Sequence, residues 1–197
     1  MDFSNIANNK SWTVGAFGHR VLVTRGKDLY AYSQCYQLLN TLKNRFEGLT
    51  ALTPAAEGAD TIFSEAALAA GVPVEMIQPF SNYDQDFLSL ESKERYDRLK
   101  KNVKTKIHVH FKDRCLAAYR KAMEWVVFRS NLIIAVWDGR QQGVDGGTWQ
   151  AVQLAQSLSK PLIHIDYRNN KTCAYGNSKN GYGFRGVVSL NNFHTLF

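Results

Sequence analysis

The chain has 197 residues, of which 45% are hydrophobic and 21% charged, so it is long and apolar enough to bury a full core. No apolar run reaches the roughly 20 residues of a membrane helix, and the start MDFSNIANNK lacks the basic and apolar regions of a secretory signal. Cys35, Cys115 and Cys173 are far apart and fit neither a zinc site nor a disulfide framework. We therefore expect a cytoplasmic protein with no membrane partner, no bound metal and no other cofactor.

The net charge of +7 is concentrated in one segment. Residues 93–121 contain 11 of the 24 basic residues and 3 of the 17 acidic ones, and the rest of the chain is nearly neutral. Such a basic patch attracts phosphate or nucleic acid. A solvated helix face that carries Lys and Arg on its outside explains the same composition.

Strand-like apolar runs alternate with segments of helical periodicity along the chain. The predicted strands cover residues 12–17, 49–53, 72–77, 132–137 and 161–165. The predicted helices cover residues 28–46, 59–70, 83–101, 116–127 and 148–158. The segment 104–111 fits either a strand or an extended loop. This order predicts an α/β fold with a Rossmann-like, doubly wound, mainly parallel sheet in a single domain.

Three parts of the chain are expected. Residues 1–10 form an N-terminal extension, and residues 11–168 form the Rossmann-like domain. Residues 169–197 form a C-terminal extension that either packs on the domain or is flexible. The last segment is rich in Gly, Asn, Lys and Tyr, and it fits a loop, a short hairpin or a partner-binding arm.

Ligands of doubly wound sheets bind beyond the carboxyl ends of the strands, where the strand order reverses. The first predicted strand ends in the sequence GAFGHR at residues 15–20. Gly15 and Gly18 allow a close backbone approach, Arg20 offers donors to phosphate or carboxylate, and His19 could donate a hydrogen bond or move a proton. A tight turn with a surface arginine explains the same residues.

The second predicted strand leads into a helix through Glu57, Gly58 and Asp60. Glu57 or Asp60 fits a helix cap, or alternatively a contact to a ribose hydroxyl. Further along, Tyr83, Asp86 and Phe87 fit a lid, a stacking contact with a base, or packing at a helix start.

The strongest local signal follows the strand at 132–137. Asp138, Gly139 and Arg140 precede a glycine-rich turn, residues 143–148, that runs into a helix start. Gly146 and Gly147 permit close approach of an anion to the free N–H groups of the helix, and Thr148 adds a hydroxyl. The segment is neither a Walker loop nor a GxGxxG dinucleotide motif. A flexible loop with a threonine cap is the alternative.

Four segments together resemble the SLOG superfamily, which groups the Smf/DprA and "lonely guy" (LOG) Rossmann-like domains. They are GxxGHR at 15–20, TPAAEGAD at 53–60, PF…YxxDF at 79–87 and SNLIIAVWDGRQQGVDGGT at 130–148. The resemblance covers residues 12–166. It implies that Gly146, Gly147 and Thr148 hold a phosphate, with Gly18, His19 and Arg20 lining the same cleft and with Glu57 and Asp60 across from them.

The resemblance implies two kinds of function. LOG enzymes cleave the bond between base and ribose phosphate, and they resemble PGGxGTxxE, whereas the position of that glutamate is Ala151 here. Other members resemble sensors of a cyclic nucleotide or ADP-ribose-type signal in bacterial nucleotide signalling and antiphage defence. The loss of the glutamate favours the sensor, which then needs a separate effector protein or a ligand-dependent change of assembly. A homo-oligomer, specifically a homodimer, is expected because two-fold dimers are the commonest assemblies.

Two alternatives stay open. The first is a LOG-like N-glycosidase, phosphoribohydrolase or transferase that acts on a nucleoside monophosphate, with Glu57 as the catalytic carboxylate and Asp138 as another candidate. The second is DprA-like nucleic-acid binding through residues 93–121. The candidate ligand-binding residues are Gly15, Gly18, His19, Arg20, Glu57, Gly58, Asp60, Asp138, Gly139, Arg140, Gly146, Gly147 and Thr148.

Overall fold

One eight-stranded sheet organises the part of the chain that the computed structural model describes, residues 11–22, 27–141, 146–178 and 181–188. The strand order is β4-β3-β2-β1-β5-β6-β7-β8. The strands are β1 Thr13–Gly18, β2 Thr50–Thr53, β3 Val74–Gln78, β4 Thr105–His108, β5 Leu132–Val136, β6 Leu162–Asp166, β7 Lys171–Ser178 and β8 Gly181–Val187. β1 to β6 pair in parallel, and β7 and β8 are antiparallel. The predicted Rossmann-like, mainly parallel, single-domain fold is confirmed.

Five α-helices cover the two faces of the sheet. They are α1 Lys27–Arg45, α2 Ala59–Ala69, α3 Leu90–Asn102, α4 Leu116–Arg129 and α5 Thr148–Ser157. α1 and α2 pack on one face, and α4 and α5 pack on the other. None of the described helices is both long and apolar enough to cross a bilayer.

The continuously apolar sequence of β5 follows from its burial on both faces of the sheet. All five of its residues are buried. Leu132, Ile134 and Val136 face the core under α1 and α2. Ile133 and Ala135 face the core under α4 and α5. A strand buried on both faces has no polar side to alternate with.

The predicted helix over residues 83–101 is in fact two elements. A short 3₁₀ helix, Tyr83–Asp86, ends before α3 begins. Ser89 starts α3 because its hydroxyl accepts a hydrogen bond from the Ser92 backbone N–H at 3.0 Å, in a capping box. This division leaves Asp86 outside α3, where it contacts Arg20 beyond the carboxyl end of β1.

The described part of the C-terminal extension continues the sheet. β6 turns into antiparallel β7 with Asp166 opposite Lys171, and β7 pairs with β8 through a bulge between Ala174 and Tyr175. Of the three conformations that fit the sequence, the described residues adopt the hairpin. The predicted N-terminal extension, residues 1–10, and the end of the chain, residues 189–197, lie outside the described residues.

Gly15 lies within β1 rather than at its end, and it packs against the end of α4. A Cβ atom there would overlap the Ser130 hydroxyl and lie 2.9 Å from a Val126 methyl carbon. The Ser130 hydroxyl is itself fixed, because it donates to the Val126 carbonyl at 2.6 Å. The structure thus gives Gly15 a packing contact away from the carboxyl edge.

We expect Gly15→Ala to lower the free energy of unfolding by about 2 kcal/mol, because the extra carbon overpacks this contact. Adding Ser130→Ala removes the obstructing oxygen and should recover about half of the loss. Urea denaturation of both single variants and the double variant measures this coupling. Strictly additive losses would show that Ser130 is not the obstacle.

Candidate functional site

A cavity of about 460 Å³ opens at the carboxyl end of β1. β1 lies between β2 and β5, so this is the point where the strand order reverses. Seven of the thirteen candidate residues line it, namely Gly18, His19, Arg20, Asp60, Gly146, Gly147 and Thr148. The structure therefore brings the three predicted strand-end segments together around one space.

The other six candidates lie outside the described lining. Gly15 is inside the sheet, and Gly58 underlies the backbone of His19 and Arg20. The remaining four are Glu57, Asp138, Gly139 and Arg140. Glu57, the proposed catalytic carboxylate, is among those outside, and the one acidic side chain among the described lining residues is that of Asp60.

Asp60 joins the start of α2 to β1 and β2. Its carboxylate accepts a hydrogen bond from the Ala56 N–H at 3.3 Å, and further bonds come from the Gly18 backbone and the Thr53 side chain. Neither Glu57 nor Asp60 caps the helix; Gly58 is the N-cap residue and makes no side-chain bond. Burial raises the pKa of Asp60 to about 7, and the three hydrogen bonds and Arg20 oppose that rise.

The Asp86 carboxylate, for which the sequence left a site role and a packing role open, holds two arginines at the cavity. These arginines, Arg20 and Arg114, form its cationic wall. Asp86 is buried, and the Arg20 guanidinium donates to its Oδ2 atom. Arg114 Nε lies 3.1 Å from its Oδ1 atom. The Tyr119 hydroxyl lies 2.8 Å and 2.7 Å from the two carboxylate oxygens and accepts a bond from Arg114 Nε at 3.0 Å. Burial opposes the charge on Arg20, but its bond to Asp86 raises its pKa above the ordinary value.

His19 belongs to a second polar cluster, which lies over β5 and β6. Its Nδ1 atom lies 3.0 Å from the Tyr167 hydroxyl, and its Nε2 atom lies 3.6 Å from Asp138. Asp138 also pairs with Arg140 at 3.5 Å and Arg168 at 3.4 Å. Burial lowers the pKa of His19, and the Asp138 carboxylate opposes that effect. We therefore treat His19 as a neutral hydrogen-bonding group at neutral pH.

The start of α5 forms a third part of the wall. Gly147 is the N-cap residue and makes no side-chain capping bond, and Thr148 is the first helical residue rather than a cap. The first N–H groups of such a helix have no intrahelical acceptor. Gly146 has φ 78°, and a Cβ atom there would lie 2.7 Å from Arg120 N, so glycine allows this turn to pack against α4. The preceding loop residues 142–145, including Gly143, lie outside the described part of the chain.

Aromatic side chains complete the cavity. Trp137 and Trp149 both line it, and their rings stack with centroids 5.6 Å apart and planes inclined by 26°. Neither tryptophan was predicted from the sequence as a site residue. Their positions, just after a buried strand and just after Thr148, were the available signal. Tyr83 and Phe87 pack edge to face at 5.7 Å in an apolar cluster, which fits the packing interpretation of that segment.

The groups around the cavity suit a ligand that has both an anionic part and a planar or apolar part. Guanidinium groups and a helix N-terminus attract an oxyanion, and indole and phenol rings accept a planar or apolar group. No group of three or more His, Cys, Asp or Glu side chains suited to a metal ion occurs within the described ranges.

Solved structures of other proteins share the fold of this chain. No protein-family model matches the chain, and no curated protein matches it. Among solved structures, DNA processing protein A from Helicobacter pylori, described for its single-stranded DNA binding mode, is 21% identical with a TM-score of 0.56. The match covers 79% of this chain and 65% of that one.

Two further structures belong to the same comparison. DNA processing protein A from Streptococcus pneumoniae is 15% identical with a TM-score of 0.56, over 79% of this chain and 50% of that one. The molybdenum cofactor binding protein from Rippkaea orientalis is 23% identical with a TM-score of 0.51, over 79% and 77%. The chain thus spans less than two thirds of either DNA processing protein. It shares with all three the Rossmann-like α/β fold.

Proposed function

We propose that the chain is a SLOG-superfamily binding module that holds a nucleotide-derived ligand, either an ADP-ribose-type molecule or a cyclic nucleotide, at the carboxyl ends of β1 and β5. The main support is the cavity at the point where the strand order reverses. Arg20, Arg114 and the start of α5 all line this cavity. Its role is that of a sensor in bacterial nucleotide signalling or antiphage defence. The module acts as a homo-oligomer with a separate effector protein.

The size and lining of the cavity support a small ligand. Small-molecule sites span about 300–1,000 Å³ and combine apolar walls with a few polar groups. The cavity of about 460 Å³ falls in this range, with Trp137, Trp149 and Met123 as apolar wall. Because the solved structures with this fold bind ligands as different as single-stranded DNA and the molybdenum cofactor, the residues of the site must select the ligand.

The position of the missing glutamate supports binding rather than hydrolysis. Ala151 is fully buried in α5 and packs in the core beneath α4 and α5. Glu57 lies outside the described lining, so neither position supplies an open carboxylate to the cavity. Asp60 does reach the cavity, but its bonds to Gly18, Ala56 and Thr53 hold it to the protein.

A thermal-shift panel with ADP-ribose, its cyclic forms, cyclic oligonucleotides and nucleoside monophosphates tests the proposal, with every mixture analysed afterwards for products. A ligand at a hundredfold excess over its Kd stabilises the protein by about 2.7 kcal/mol. We expect at least one member to raise the melting temperature and to remain intact. Arg20→Gln should lose this shift, whereas Arg98→Gln, at an exposed position of α3, should keep it.

Two outcomes separate the alternatives. Release of free base would make the protein a hydrolase. A short oligodeoxynucleotide that binds with a steep salt dependence, while no small ligand binds, would favour nucleic-acid binding by residues 93–121. Two observations favour the nucleic-acid alternative. The Lys and Arg side chains of residues 93–121 are largely exposed, and Arg114 of this segment lines the cavity. An unchanged melting temperature with every ligand would contradict the proposed function.

A further inference from the structure

We propose that the cavity selects a singly charged phosphodiester over a terminal phosphate monoester that carries two charges. The inference rests on the proposed function and narrows its ligand. It follows from the fixed charges on the described cavity wall.

The cationic wall carries one excess positive charge. Arg20 and Arg114 share the single carboxylate of Asp86. Each oxygen of that carboxylate already has two partners, since the Tyr119 hydroxyl contacts both. A guanidinium has five N–H donors, so each arginine keeps donors that Asp86 does not occupy. Both side chains line the cavity, and two positive charges against one negative charge leave a net charge of one.

The other groups among the described lining residues add little positive charge. Arg140 and Arg168 lie outside that lining, where both pair with Asp138. His19 is neutral at neutral pH because burial disfavours its protonated form. The start of α5 contributes the equivalent of about half a charge at the helix N-terminus. Asp60 works in the opposite direction, because its carboxyl group lines the same cavity and becomes negative as the pH rises.

The wall therefore balances one negative charge but not two. A phosphodiester carries one negative charge, whereas a monoester carries about −1.5 to −2 at neutral pH because its second pKa is near 6. The additional charge would lie in a partly dehydrated cavity that also contains the carboxyl groups of Asp60 and, behind the arginines, Asp86. Like charges in such surroundings repel more strongly than in water.

Matched ligand pairs test the inference. We would titrate the 5′-monophosphates of adenosine, guanosine, cytidine and uridine, and the 5′-methyl phosphate diesters of the same nucleosides, by calorimetry at pH 8. The pair members share the nucleoside and the position of the phosphoryl group. For each nucleoside that binds, we expect the methyl diester to bind about tenfold more tightly, equivalent to about 1.4 kcal/mol.

Equal or tighter binding of the monophosphates would overturn this inference and leave the proposed function intact. Binding of none of the eight compounds would also overturn this inference, and the thermal-shift panel would then decide whether the proposed function fails as well. The two failures are thus distinguishable.

A variant identifies the source of the selectivity. Asp60→Asn removes a carboxyl group from the cavity, so we expect it to tighten binding of the monophosphate more than that of the diester and to reduce the preference at least threefold. Glu47→Gln makes the same change of charge at an exposed position outside the cavity lining and should leave the preference unchanged. An equal change in both variants would show that the preference reflects overall charge and would overturn the assignment to the cavity wall.

Discussion

Gly58→Ala is expected to lower the free energy of unfolding by about 3 kcal/mol and to abolish ligand binding. Gly58 has φ 88°, a conformation that costs a residue with a side chain about 1–2 kcal/mol. A Cβ atom there would also overlap the Arg20 carbonyl oxygen and lie 2.5 Å from that of His19. These atoms belong to the backbone that presents His19 and Arg20 to the cavity, so relief of the overlap moves the site itself.

Gly181→Ala is the matched control. Gly181 has φ 98°, but its added Cβ would meet nothing within 4 Å. It therefore carries the backbone strain without the overlap, and we expect a loss of only about 1 kcal/mol. Urea denaturation gives the loss of unfolding free energy for both variants. The difference between the two losses is the cost of the overlap between the added Cβ atom and the backbone of His19 and Arg20. Equal losses would mean that α2 moves away from β1 at little cost.

The second large effect concerns pH. Burial raises the pKa of Asp60 from 3.8 to about 7, so the folded protein favours the protonated carboxyl group more than the unfolded chain does. Its stabilising contribution is complete below pH 3.8 and is lost as the pH rises through 7. One pKa unit corresponds to about 1.4 kcal/mol, so the wild-type protein should lose about 3 kcal/mol from this group between pH 5 and pH 8.

Asp60→Asn should remove this loss. The amide is neutral at both pH values, and its oxygen can still accept the bond from the Ala56 N–H. Urea denaturation at pH 5 and pH 8 should therefore give a flatter pH dependence for the variant, with the variant more stable than the wild type at pH 8. Asp113→Asn, at an exposed position, should follow the wild type within about 0.5 kcal/mol. A wild-type pH dependence in Asp60→Asn would show that other groups cause it.

The fold was predictable because its signals are local. The stripe Ala59, Ile62, Phe63, Ala66, Ala67 and Ala70 is buried as its periodicity predicted. The apolar run of β5 likewise indicated a strand covered on both faces. The predicted helix across residues 83–101 failed because Ser89 and Ser92 form a capping box, a signal that lies in two serines within an otherwise helical stretch.

The candidate site was predictable only where it follows a strand end. Gly18 is the last residue of β1, and His19 and Arg20 follow it directly. In parallel sheets, ligands bind beyond the carboxyl ends of the strands. The pairing of Arg114 with Asp86 depends on a loop and a short 3₁₀ helix, and the two residues are 28 positions apart in the sequence and meet only in the folded protein. No local pattern states which arginine reaches which carboxylate. The same holds for the stacking of Trp137 on Trp149.

The central position of β1 has a consequence for synthesis of the protein. β1 pairs with β5, so that Val14 lies opposite Leu132, and the start of α5 follows later still. Contacts between such distant segments form slowly, after much of the chain is available. A ribosome-bound chain that has not yet released α5 lacks one wall of the cavity. The proposed ligand would therefore bind only after synthesis has passed α5, and it could not guide the folding of a shorter nascent fragment.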